Sequence, residues 1–293
     1  MEPIKQALHK QRPNLSPSSV RTYCSILSNA YKKVYPEDKT ITISKFDNDE
    51  EFNELLKGMN APATLLSALY VITDNKAYQK HMTEEIQRLK AVEYTQTKNE
   101  KQQDSMISIE EVKDVLDHFT ILANHVYRIE DYSSKGLNHL VNYILLCLTS
   151  GIYIEPRRSL DWCEMVVNKA QATDNDNYYD ASKGVFVFNV YKTAKVYKQQ
   201  VIQVPKDLKV ILNKWLKVNP TKYMLFNQKQ EKLVSPNIAT RLNEIFGKKI
   251  STSALRHIFI SDKYKNIPSL ESLQETASKL GNSVPQMLQY IKK

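Results

Sequence analysis

The sequence predicts a mainly helical protein of two domains, the second carrying one small antiparallel β-sheet. Three observations carry this. Apolar residues recur at spacings of three and four along most of the chain, the period of an amphipathic helix. Residues 95–105, TQTKNEKQQDS, include no apolar residue and so divide the chain. Only two stretches are rich enough in Val and aromatics to read as strands, GVFVFNVYK at 184–192 and VYKQQVIQV at 196–204.

The first domain is predicted over 1–94. Residues 1–14 are basic and polar around Pro3 and Pro13 and read as an arm. Ser16 then caps a helix with Pro17 in its first turn. Val20, Tyr23, Leu27, Ala30, Tyr31 and Val34 recur along it at helical spacing until Pro36 ends the run. A second helix spans 49–57, where Asp49, Glu50 and Glu51 suit the positive end of its dipole. A third covers 63–73, and Tyr78, Met82, Ile86 and Leu89 mark one stripe of a fourth. Together these make a small bundle. Residues 95–106 are the linker.

The second domain is predicted over 107–293. Ser108 and Glu111 fit a capping box ahead of Val112, Val115, Leu116 and Phe119. Residues 138–150 are apolar on nearly every face and predict the buried central helix. SGIYIEP leads on into RRSLDWCEM. The two strands follow, joined at 193–195, and NYYD just before them supplies a third. Helices are expected at 206–217 and at 236–246, the latter capped by Ser235 and Pro236 and closed by Gly247. The last three are expected at 253–264, at 270–280, and from Ser283, which pairs with Gln286 in another capping box.

Forty-one Lys and Arg against thirty-two Asp and Glu leave a net charge of +9, a balance suited to a polyanion such as nucleic acid. Cys24, Cys147 and Cys163 are widely spaced and read as buried thiols of a reducing compartment. The six His show no metal-ligand spacing, and the six Gly form no phosphate-cradling loop, so neither a metal nor ATP is expected. No apolar run spans a bilayer, and the first residues lack a secretory core. An intracellular protein without a membrane partner is expected.

The chemistry concentrates in 251–293. Arg256 and His257 sit early on a helix, Leu280-Gly281 makes a turn, and Tyr290 follows nine residues after Gly281. Breaking a phosphodiester through a tyrosyl ester needs such parts. An Arg holds the non-bridging oxygens with its planar fork, polar donors stand beside it, and a Tyr attacks. This ending resembles that of the tyrosine recombinase (phage integrase) family, H-x-x-R-H, then L-G-H, then Y. Ser253 and Asn282 stand where the family commonly has histidines. Each keeps a hydrogen-bond donor and removes a titratable group.

The same resemblance extends upstream. The family's first Arg lies in G-x-R-x-x-E/D-L after an apolar helix, and Arg158 with Asp161 has that spacing, Arg157 being the alternative. Its catalytic Lys lies on a hairpin between the two Arg motifs. VYKTAKVYKQQ holds Lys192, Lys195 and Lys198 there, and Lys192 fits the K-T pattern best, although lysines also blunt an edge strand. The resemblance covers 108–293 by motif and the first hundred residues by architecture.

It implies an N-terminal helical core-binding domain and a C-terminal catalytic domain closing as a clamp on double-stranded DNA. Tyr290 would attack the scissile phosphate, giving a 3′-phosphotyrosine and a free 5′-hydroxyl, with Arg158, Arg256, His257, Ser253 and Asn282 around the phosphate and Lys192 as the acid. No cofactor is called for. Four protomers on two DNA sites would complete site-specific recombination or integration. The richness in Lys, Asn and Tyr resembles integrases of large DNA viruses and mobile elements. Only Ile291, Lys292 and Lys293 follow Tyr290, too few for a helix, so a monomer that assembles on DNA is expected. A type IB topoisomerase shares the clamp and the Tyr. A DNA-binding protein descended from a recombinase would keep the surface and lose the chemistry.

Overall fold

The computed structural model describes residues 2–94, 107–163 and 165–279, together with Val284. The described residues form two compact units. The first draws on Met1–Thr97 and Pro268–Lys293, the second on Lys98–Ile267. The sequence reading runs the second domain through 293.

The first unit opens with α1 (Glu2–Gln11), where the sequence reading has an arm. Ile4 and Leu8 are fully buried and α1 packs on the helices α2 (Pro17–Val34) and α4 (Ala63–Thr73). The reason is local: two apolar residues four apart line one face, and the charged residues around them mask so narrow a stripe. Ser16 caps α2 by accepting from the Ser19 amide, as its sequence predicts. Between α2 and α3 (Asp49–Lys57) a short 3-10 turn, Ile43–Asp47, seats Phe46 against Tyr31 and Phe52. In α5 (Lys76–Tyr94) Tyr78 is buried and donates to the Phe46 carbonyl, while Ile86 is 38% exposed. α13 (Leu270–Lys279) is counted with this unit.

The second unit begins at α6 (Ile109–Ile129), whose capping box forms as its sequence predicts. Ser108 Oγ accepts from the Glu111 amide, and Glu111 accepts from the Ser108 amide at 2.7 Å. Helix α7 (Ser134–Thr149) is the buried centre, with Leu140 and residues 144–149 sealed from solvent. Then come α8 (Ser159–Cys163), β1 (Met165–Val166), β2 (Asn177–Asp180), β3 (Val185–Phe188), α9 (Ala194–Tyr197) and β4 (Gln200–Gln203). The helices α10 (Lys206–Val218), α11 (Ser235–Phe246) and α12 (Thr252–Lys263) complete the unit. Helix α11 starts one residue earlier than expected, so Ser235 lies inside it and gives no side-chain cap.

The sheet corrects the expectation in two ways. Its order is β1-β2-β3-β4, and β1 adds a short parallel pair to the three antiparallel strands expected. The β3–β4 connection also runs through 189–199 and holds the helical turn α9, where a tight turn at 193–195 is expected. Asn177 explains why β3 stops early. Its buried Oδ1 accepts from the amides of Asn189 and Val190, both at 2.8 Å, and its Nδ2 donates to the Val190 carbonyl. Those groups are lost to the ladder.

Candidate active site

The loop from α7 into α8 turns at Gly151, whose φ of 85° disfavours side chains. A Cβ there would stand 2.7 Å from Phe259 Cδ2 on α12, so the glycine also lets α12 lie close. The loop delivers Arg157 and Arg158, and α12 delivers Arg256. All three line one pocket of about 310 Å³ together with Asp161, Tyr191, Thr193, Tyr197 and Gln200. A second tie draws the two arginine segments together. Ser159, next to Arg158, shares a 2.8 Å hydroxyl hydrogen bond with Thr252, one turn before Arg256.

The adjacent arginines have different employment. Arg157 Nε donates to Asp161 Oδ2 at 2.8 Å, and Nη1 donates to Gln200 Oε1 at 3.0 Å. The guanidinium lies 3.9 Å above the Phe188 ring. Arg157 thus fastens α8 to β3 and β4. Arg158 and Arg256 make no side-chain hydrogen bond or ion pair among the described residues, and both open on the pocket. Burial and then the charge of Arg158 lower the proton affinity of Arg256, with Asp161 opposing. Burial pushes the Asp161 carboxyl above the ordinary aspartate value, against the pull of Arg157. Its Oδ1 is buried without a hydrogen-bond partner. Two forked cations that are not held in ion pairs, on one pocket wall, make a receptor for a tetrahedral oxyanion.

Lys192 is exposed and is not part of the pocket wall, although its neighbours Tyr191 and Thr193 are. Lys195 is exposed on α9. Ser253 and His257 are exposed on α12, and neither lines the pocket. Asn282, Gly281 and Tyr290 lie outside the described residues. The structure therefore unites Arg157, Arg158, Asp161 and Arg256, and leaves Lys192, Ser253 and His257 beside them.

Sequence reasoning missed the supports. Thr252 is buried at the start of α12, and its signal was a third hydroxyl residue inside S-T-S where one suffices to cap. Asn177 also donates to the Asp161 carbonyl at 2.8 Å, joining the sheet to α8. Its signal was an amide opening an otherwise aromatic strand.

No protein-family model matches the chain, and no curated protein does. Among solved structures it is similar to XerA recombinase, at 12% identity over 92% of this chain and 85% of that one, with a TM-score of 0.37. A lambda integrase(75-356) dimer bound to a COC′ core site is similar at 13% identity over 91% of this chain and 86% of that one, with a TM-score of 0.47. A further lambda integrase dimer on a COC′ core site gives 13% identity, 91% and 71% coverage, and a TM-score of 0.46.

Proposed function

We propose that the chain is a tyrosine recombinase, a strand transferase that cuts and rejoins duplex DNA. The observation that carries this is the pairing of Arg158 with Arg256 in one pocket, neither of them held in an ion pair among the described residues. Two such forks suit the non-bridging oxygens of a phosphodiester, whose charge grows as a fifth oxygen approaches phosphorus. Tyr290, by its spacing from Leu280-Gly281, is the nucleophile. Its oxygen gives up the phenolic proton to water and bonds to phosphorus, the bond to the 5′-oxygen breaks, and that oxygen takes a proton. We assign this proton to Lys192, flanked by two residues of the pocket wall. The 3′-phosphotyrosine is then resolved by a 5′-hydroxyl from a partner strand, so no external energy source is used. The partners are double-stranded DNA and, on two DNA sites, further copies of the chain within a cell.

A nicked duplex that lets the 5′ fragment diffuse away tests this by trapping the covalent adduct. Adduct is expected with the wild type and not with Tyr290→Phe, while duplex binding stays within a few-fold. An adduct mapped to another tyrosine would end the assignment of Tyr290. A second reading is favoured by the exposure of Lys192, Ser253 and His257 away from the pocket wall: a DNA-binding protein of recombinase descent that does not cleave. Binding without any adduct would select it. Relaxation of supercoiled DNA by a monomer would instead select a topoisomerase.

A further inference from the structure

Arg241 on α11 lines a separate recess of about 110 Å³ in the second unit. Its Nη1 donates to Asn138 Oδ1 and to Asn142 Oδ1, both at 2.7 Å, and both amides stand on α7. No carboxylate pairs with it among the described residues. Glu244, one turn along α11, is exposed and makes no ion pair with it, and Glu231 is turned back onto the Asn227 amide at 3.0 Å. Burial lowers the proton affinity of this half-buried guanidinium, and the charge of Glu244 opposes that only in part. A charge withdrawn from water normally has an opposite charge beside it, because neutral partners recover only part of the lost hydration. Here both hydrogen-bond partners are neutral, and Glu244 acts only from a distance.

The recess is also built in advance. Its rim includes Gln228 and Gln230, held on a tight turn in which the Asn227 amide donates to the Glu231 carbonyl at 2.8 Å. Asn227 Oδ1 accepts from the Lys229 and Glu231 amides, and Gln230 has a φ of 63°. With Nη1 occupied, the Nε and Nη2 edge remains, the parallel pair of donors that a carboxylate accepts bidentately. Phe226 and Leu137 supply apolar wall for a short methylene chain. A recess of this size has room for a carboxylate on such a chain.

We infer that the Arg241 recess binds a carboxylate group, presented either by a small dicarboxylic acid or by an acidic side chain of a second copy of this chain. This inference is independent of strand cleavage. The test follows the backbone amide resonances of Gln228 and Gln230, on the rim of the recess, in the full chain while glutarate is added, with inorganic phosphate as the comparison. Saturable movement with glutarate, absent in Arg241→Gln, is expected. Asn138→Asp supplies a resident carboxylate where Arg241 already donates. It is expected to raise the unfolding temperature and to weaken glutarate binding about tenfold, the size of one charge-assisted hydrogen bond. Sedimentation separates the sources: self-association dispersed by glutarate points to a second copy, and glutarate binding by a monomer points to a free acid. No saturable movement with glutarate, tighter binding of phosphate, or unchanged glutarate binding in Asn138→Asp would overturn the inference.

Discussion

The Ser159 hydroxyl stands 2.8 Å from the hydroxyl of Thr252. This bond ties α8 to α12 close to Arg158 and Arg256. Thr252→Val keeps the shape and removes the bond. The expected cost is about 1 kcal/mol in urea unfolding, the usual net value of such a bond. Adduct formation should slow while duplex binding is retained, and Thr252→Ser should restore the rate. Equal loss of binding and cleavage would show that the bond serves the fold alone.

Arg157 and Arg158 should separate cleanly on substitution. Arg157→Ala leaves Asp161 buried without its ion pair, an expected loss of about 3–5 kcal/mol. Arg158→Ala removes a side chain without protein partners, so stability should stay within about 0.5 kcal/mol of wild type. Adduct should nevertheless vanish. The reverse pattern would make Arg157 the phosphate ligand.

Gly151→Ala combines a left-handed backbone with a clash at Phe259. A loss of about 1–3 kcal/mol is expected by denaturant titration. Wild-type stability would mean that α12 does not need that close approach.

Asp161 makes stability depend on pH in a direction opposite to most carboxylates. Burial raises its pKa, so just above the ordinary aspartate value the folded chain holds more protons than the unfolded chain. Its contribution to stability therefore falls as pH rises through that window, and is level above it. Urea midpoints at stepped pH, compared between wild type and Asp161→Asn, should differ with that slope. A difference that grows with pH would mean that the Arg157 pair outweighs burial.

The first helix gives the plainest test of packing. Leu8 is fully buried, so Leu8→Ala should cost about 2–5 kcal/mol. A silent substitution would return residues 1–14 to the arm of the sequence reading.

Much of this architecture is legible in the sequence because helices are written locally. The capping pair Ser108 and Glu111 and the apolar run around Leu146 each settle their element within one or two turns. Arg158 just ahead of a helix and Arg256 early on one are placed as their local sequence predicts. What is not legible depends on partners far along the chain. Nothing near Arg157 says that Gln200 and Phe188 will engage it and leave Arg158 open. Nothing near Lys192 says that Asn177 will end β3 early and turn the expected hairpin into a longer connection. Residues 1–14 read as an arm for the same reason, because Ile4, Ala7 and Leu8 show little until α2 and α4 are there to receive them.

That dependence has a consequence for how the protein is made. A ten-residue helix is marginal in water by itself, and α1 finds its apolar partners partly on α4. On the ribosome, residues 2–11 emerge before residues 63–73, so part of their apolar packing is missing until α4 has cleared the exit tunnel. Residues 2–11 are therefore made ahead of the partners that protect them. Throughout that interval Ile4 and Leu8 stand open to chaperones.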